Sequence, residues 1–424
     1  MSTPTSLDLP DGVRRTTIRT TRGAFAALEA VPASGVCERE TALLVPGYTG
    51  SKEDFLAILD LLADGSRRVV AIDMRGQFET PGADDPDGYR AAALGSDILA
   101  IMHATGTRHL VGHSYGGLIG REAVLAPDDG EITSFTLMSS GPAALTGPRA
   151  KEVRAMLAVL GVSDGETPDR AVLQAGIAEL WRAHLEPQAV AAGVPGHIVA
   201  FLARRMRSND AGALVLMARH MLTTPDRTAA LARLDHIPML VIYGENDNSW
   251  SPAAQENMAR RLGARRVCIP AAVHSPAVEA PATTASALTQ FWDAAEAART
   301  TAARPAVVTE RRSVSGVLVG GKPVPRPPWH SGGCALRAVP QVVTPPAGRA
   351  GPRREHLVQP VGGQAVTHPL IGRRALLGDI LGAAKVPGQR FVGVRPGQDL
   401  ASGQVVQLHP VTRPPEHPPG GQRV

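Results

Sequence analysis

Six short apolar runs, each closed by a turn signal and separated by helix-like stretches, restrict this chain to few folds. They are "TALLVPG" (41–47), "RRVVAIDMRG", "HLVGHS", "EITSFTLMSSGP", "IPMLVIYGEND" and "RRVCIPAAVHSP". Between them, "SKEDFLAILDLLADG" carries Phe55, Ile58, Leu59 and Leu62 at helical spacing, and "ALGSDILAIMHATG" and "YGGLIGREAVLA" also read as helices. Continuous apolar strands alternating with helices predict an α/β fold with a mainly parallel β-sheet sandwiched by helices. In such sheets ligands meet the carboxyl ends of the strands, so the polar tips of these runs should converge.

One insertion breaks the alternation. From about Ala143 to Arg233 the chain is rich in Ala, Leu, Met and Arg and poor in strand signal, which predicts a helical cap over the strand tips. The expected organisation is a core from 1–142 and 234–299, a cap from 143–233, and a tail from 300–424. "TTASALTQFWDAAEAART" should be the helix that closes the core.

The stretch "LVGHSYGGLIG" (110–120) lies between a strand and a helix. Its glycines do not fit the G-x-G-x-x-G dinucleotide fingerprint, and no lysine follows them as a phosphate-binding loop requires. Gly112-His113-Ser114-Tyr115-Gly116 does fit G-x-S-x-G, a sharp turn that lifts a serine out of the sheet, with glycines where a side chain would collide. A glycine turn that merely packs a helix is the competing reading.

A serine hydroxyl needs a base, and the base an orienting carboxylate. Asp247 follows "PMLVIYG" and His274 follows "RRVCIP", each just past a strand end. Glu245 and Asp235 are rivals to Asp247, although strand-end position favours Asp247. His113 should pack or hydrogen-bond beneath the serine, His109 should be structural, and Asp73 should pair with an arginine such as Arg75.

With the elbow, the order Ser…Asp…His, the helical insertion and the early "VPGYTGS" loop, residues 15–298 resemble the α/β-hydrolase family. The resemblance implies Ser114 as nucleophile, His274 as base and Asp247 as its orienting acid. It also implies an oxyanion hole from the backbone N–H groups of Tyr48 and Tyr115. Two departures stand out. Pro46-Gly47 occupies a loop where relatives often carry His-Gly, and Gln77 and Phe78 in "DMRGQFETPG" interrupt a common R-G-x-G-x-S pattern.

The expected activity is a serine hydrolase acting on a small-to-medium carboxylic ester or thioester, with no metal or organic cofactor. An acyltransferase with the same triad, or a non-catalytic relative that binds a small molecule, are the alternatives. A serine at the elbow excludes the dehalogenase-like and epoxide-hydrolase-like members, which form an ester on an aspartate. Trp250, Met206, Met217 and Met221 are candidate pocket residues, the methionines as an adaptable apolar lid.

Composition divides the chain. From Thr301 onward there are 16 Lys and Arg against 5 Asp and Glu and 18 of the 36 prolines, leaving the first 300 residues net acidic. This reads as a disordered extension, with "IGRRALLGDILGAAK" its one helix candidate. With only Trp329 and Phe391 as aromatics, it offers no specific nucleic-acid site. Cys37, Cys268 and Cys334 are far apart and lack metal-ligand spacing. No apolar stretch is long enough to span a bilayer, and no signal-like leader is evident, so a cytoplasmic location is expected. The pattern leaves the oligomeric state open. Truncation near residue 300 is expected to leave a folded, active domain by circular dichroism and turnover; loss of either would show that the tail packs on the body.

Overall fold

The computed structural model describes residues 2–127, 132–163 and 167–302. The tail expected to be disordered lies outside the described residues from 303 onward, as do its helix candidate and Cys334. Cys37 and Cys268 are exposed free thiols.

Eight strands form one sheet: β1 (Val13–Thr20), β2 (Gly23–Ala30), β3 (Arg39–Val45), β4 (Arg67–Ile72), β5 (Thr107–His113), β6 (Ser134–Met138), β7 (Met239–Gly244) and β8 (Arg265–Ile269). Their order is β1-β2-β4-β3-β5-β6-β7-β8. The β1/β2 and β2/β4 pairs are antiparallel, and every pair from β4 to β8 is parallel. All six expected strands are present. The β1/β2 hairpin is additional; β1 reads VRRTTIRT and buries Val13 and Ile18 alone, so no continuous apolar run announces it.

Both faces of the parallel strands are covered, which explains their unbroken apolar composition. Leu43, Val45, Val70, Ile72 and Leu110 point into one core with α2 (Ala91–Thr105) and α3 (Tyr115–Val124). Ala42, Leu44, Val69, Ala71 and Val111 point into the other, with α1 (Leu56–Ala63) and α12 (Pro281–Ala302), which contributes Leu288, Phe291 and Trp292. The alternation follows the two-residue period of a strand.

Between β6 and β7 the chain is helical: α4 (Gly147–Val159), α5 (Arg170–Leu180), a π-helical turn at Trp181–Leu185, α6 (Glu186–Ala191), α7 (Gly196–Ser208), α8 (Ala211–Thr223) and α9 (Thr228–Leu231). After β7 come α10 (Pro252–Leu262) and, after β8, the single turn α11 (Pro276–Glu279). Among the described residues no helix is long and apolar enough to cross a membrane.

Helix α12 is fastened to the sheet by charge. Arg67, 1% exposed, reaches Asp293 at 3.0 Å and also Glu296, whose Oε1 is 3.0 Å from His109 Nε2. His109 Nδ1 meets Ser134 Oγ at 2.8 Å, and the ring stacks on Trp292, which gives this histidine the structural place expected for it. Glu40, His109 and Glu296 come close enough to hold an ion, but the Arg67 guanidinium already occupies the Glu296 carboxylate. Burial disfavours the Glu296 carboxylate, yet hydrogen bonds from His109 and Arg67 outweigh it and hold the group down at about 2.

The expected Asp73–Arg75 pair is not formed. Asp73 accepts from Lys52 Nζ at 2.8 Å and Lys52 N–H at 2.7 Å, whereas Arg75 donates to Asp97 at 2.6 and 2.8 Å. Asp73, just past β4, faces the Lys52 turn, and Arg75, two residues on, has already turned toward α2. Replacing Glu296 by Ala leaves the buried Arg67 guanidinium with Asp293 as its carboxylate partner and takes the acceptor from His109, and should destabilise the protein by about 2 kcal/mol, read from the urea unfolding midpoint.

Candidate active site

Ser114 sits between β5 and α3 with φ 53° and ψ −118°, a left-handed conformation that a non-glycine residue holds only under constraint. Two glycines make the turn possible. A Cβ on Gly112 would lie 2.4 Å from the Gly116 carbonyl oxygen, and one on Gly116 would lie 2.5 Å from the carbonyl oxygens of Val45 and Pro46. Ser114 N–H donates to the Met138 carbonyl at 2.8 Å, tying the turn to the end of β6.

Parallel β5, β7 and β8 deliver the other two groups to the same edge. His274 Nε2 is 3.0 Å from Ser114 Oγ, and His274 Nδ1 is 3.0 Å from Asp247 Oδ1. Asp247 is buried; its Oδ1 also accepts from Ser249 N–H at 2.9 Å, and its Oδ2 accepts from Gln255 Nε2 at 2.9 Å. Those donors fix the carboxylate plane and so the imidazole. With Nδ1–H directed at the carboxylate, Nε2 has its lone pair toward the serine hydroxyl. The rival carboxylates are elsewhere. Glu245 accepts from Ala271 N–H at 2.9 Å, and Asp235 is fully exposed beside His236.

His113 is buried under this relay, its Nε2 2.8 Å from the His274 carbonyl oxygen and its ring 5.2 Å from that of His274. A ring nitrogen facing a carbonyl must be the protonated one, so the neutral ring supports the His274 backbone. Burial first, and the neighbouring His274 second, push His113 down to about 4.

The cleft in front of Ser114 is lined by Gly47, Tyr48 and Asp54 from the body, Leu145, Arg149, Val153 and Met221 from the helical segment, and Trp250 and Ser2. Trp250 Nε1 donates to the Ala143 carbonyl at 2.9 Å, joining the loop after Asp247 to the chain entering the helices. Met206 and Met217 do not line the cleft. Met206 on α7 and Met217 on α8 are both buried in the core, and Met221, in the last turn of α8, lines the opening. The Tyr48 hydroxyl donates to the Leu214 carbonyl at 3.0 Å. The Tyr115 ring is fully buried against His220 and does not line the cleft, and burial pushes its phenol well above the usual range.

Gln77, which departs from the family pattern, is wholly buried and donates through Nε2 to the Gly47 carbonyl at 2.9 Å. It therefore braces the loop beside Ser114. Phe78 meets the cations of Lys52 and Arg204, 4.7 and 4.8 Å from its ring centre, and Phe201 edge-on. Gln255, Ser249 and Ser2 are not singled out by the sequence, which marks Gln77 as a departure but not its bond to Gly47. Ser249 acts through its backbone N–H, which any residue but proline carries, and Gln255 and Ser2 reach the site from α10 and the amino-terminal segment, so no side-chain spacing marks them.

The depressed His113 has a stability consequence. Its unfolded value is near 6.5, so between about 6.5 and about 4 the unfolded chain takes up a proton that the folded one refuses, and stability falls as pH falls. His113→Gln should therefore lose roughly 2 kcal/mol less than the parent between about pH 7 and about pH 5, read from urea midpoints.

Residues 42–287 match the family model described as "Alpha/beta hydrolase family". The curated protein named "Putative carbamate hydrolase RutD" from Variovorax paradoxus (strain S110) is 34% identical over 143 residues, 33% of this chain and 51% of its own. A protein of the same name from Agrobacterium fabrum is 36% identical over 90 residues, 21% of this chain and 34% of its own. This chain thus matches about half or less of the length of these curated relatives. Among solved structures, the enol-lactonase from Burkholderia xenovorans LB400 superposes with a TM-score of 0.52 at 19% identity, covering 66% of this chain and all of that one. A thermophilic esterase from Thermogutta terrifontis gives 0.50 at 22% identity, with 66% and 99% covered. Both share the fold. The family match, over more than half of the chain and spanning the elbow, the acid and the histidine, establishes that this protein belongs to the α/β-hydrolase family.

Proposed function

We propose that the protein is a serine hydrolase that cleaves a small-to-medium carboxylic ester or thioester through an acyl-enzyme on Ser114. The observation that carries this reading is the continuous relay from Ser114 Oγ through His274 to buried Asp247, with both contacts at 3.0 Å. Ser114 Oγ attacks the substrate carbonyl as His274 Nε2 takes its proton; the imidazolium formed is stabilised by Asp247 and then protonates the leaving group. Water, activated by His274, attacks the acyl carbonyl and frees Ser114.

The oxyanion of each tetrahedral intermediate would be held by the backbone N–H groups of Tyr48 and Tyr115. In support, the Gly47 loop packs directly on Ser114, and Gln77 holds that loop through a buried hydrogen bond. Pro46 in place of histidine is compatible with this because the donors are amides. The helices between β6 and β7 would serve as the cap, with Met221 and Trp250 in contact with substrate. The reaction uses no metal or organic cofactor.

A second acyl class is favoured by the relatives named as carbamate hydrolases. The same relay attacks a carbamate carbonyl, with an amine or ammonia as the departing group. Turnover of matched p-nitrophenyl esters and N-unsubstituted carbamates separates the two substrate classes. Product analysis with an added alcohol or thiol distinguishes hydrolysis from acyl transfer.

A fluorophosphonate probe should label the protein covalently, and Ser114→Ala should abolish labelling and lower turnover by about four to six orders of magnitude. A well-folded parent protein that takes no label would falsify the enzyme reading and favour a non-catalytic binding role. A loss below about tenfold in Ser114→Ala would point to another nucleophile.

A further inference from the structure

The cleft in front of Ser114 has a wall from an unexpected source, the amino-terminal segment. Ser2 lines the cleft together with Ser114, His274 and Trp250, although more than a hundred residues separate it from the elbow. Its carbonyl oxygen accepts from Arg205 Nη2 at 2.6 Å. Arg205 is wholly buried on α7, and its Nη1 donates to Asp54 Oδ1 at 2.7 Å, while Asp54 itself lines the cleft. One guanidinium thus clasps a helix of the inserted segment, the body of the fold and the tip of the amino-terminal segment.

The rest of the segment is attached unevenly. At its far end, Val13 N–H donates to the Pro10 carbonyl at 3.0 Å, where β1 begins. Pro4 is buried and Leu7 packs against the main core, but Thr5, Ser6, Asp8 and Leu9 are exposed. A cavity of about 260 Å³ lies along the segment, between it and Leu56, Ala57 and Val278. By contrast, the cavity at Ser114 is about 40 Å³, far smaller than the space along the segment. A substrate larger than a short acyl group therefore needs one wall to yield. The amino-terminal segment is a wall with empty space beside it and with Thr5, Ser6, Asp8 and Leu9 exposed.

We propose that the segment Ser2–Pro10, clasped at its tip by Arg205, is the specificity-determining wall of the Ser114 cleft and limits the length of the substrate chain accepted. The inference rests on the serine-hydrolase reading and names what bounds its substrate. With the segment seated, a short acyl or alkyl chain fits beside Ser114. With it displaced, the cleft opens alongside Asp54 and longer chains enter.

The test uses the full chain, a variant lacking residues 2–6, and full-length Leu7→Asp, which removes the apolar anchor without shortening the segment. For each, kcat/KM is measured on p-nitrophenyl acetate, hexanoate and decanoate, alongside the rate of fluorophosphonate labelling and the circular dichroism spectrum. The parent should prefer acetate, and the decanoate-to-acetate ratio should rise by about tenfold or more in the deletion and by a smaller factor in Leu7→Asp. A ratio within about twofold of the parent in the folded deletion would overturn the proposal. If the deletion fails to fold, Leu7→Asp decides, and an unchanged ratio there overturns it equally. A folded parent that takes no label and turns over no ester instead overturns the hydrolase reading, and the inference with it.

Discussion

The close approach of two backbones at the serine turn is the constraint on which this structure depends. Gly116 lies against the carbonyl oxygens of Val45 and Pro46, and Gly112 lies against the Gly116 carbonyl, so β3, β5 and the first turn of α3 meet with no side chain between them. That contact holds Ser114 at φ 53° and brings the Gly47 loop alongside it. The strain is sustained by the parallel sheet, whose two apolar faces are filled by helices and whose strands cannot shift register without exposing them. The same parallel order brings the loops after β7 and β8 to that edge, so one topology positions Ser114, Asp247 and His274 together.

Charge carries the connections that apolar packing does not. Lys52, 1% exposed, lies within 3.2 Å of carboxylates from Glu53, Asp73 and Glu79. Burial raises the Asp73 carboxyl above its usual range while the Lys52 ammonium pulls against it. Glu79 also meets Arg204 on α7 at 2.6 Å, and Asp54 meets Arg205 beside it. Successive arginines of one helix therefore grip neighbouring acidic groups of the body. Such pairs hold position more than they add stability, because each buried charge gives up its hydration and regains it only in one geometry. They fix how the helical segment sits against the body, and through Arg205 they bring in the amino-terminal segment.

The parallel part of the fold was legible because a strand buried on both faces must be continuously apolar, as "TALLVPG" and "PMLVIYG" are. The β1/β2 hairpin was not, since an edge hairpin faces water and spells itself in arginine and threonine. The elbow was legible because its glycines answer a steric demand local to the sequence. Asp247 and His274 could be singled out because strand ends are visible, and the structure places both beside Ser114. Gln255 and Ser2 are illegible, and Gln77 is visible only as a departure from a pattern, since each acts across a contact that no local pattern encodes. Asp73 was assigned the nearest arginine in sequence, whereas the fold offers it Lys52. The methionines show the limit of periodicity: Met217 and Met221 share a helix face, but the end of the helix decides which one meets the cleft.

The central claim is that Ser114 becomes acylated during turnover. Its most direct test is rapid acid quenching of the protein during turnover of a p-nitrophenyl ester, followed by peptide mass mapping. An acyl mass increment is expected on the peptide that contains Ser114, appearing with the first equivalent of p-nitrophenol and decaying as substrate is exhausted. Turnover with the increment on a different residue would contradict it.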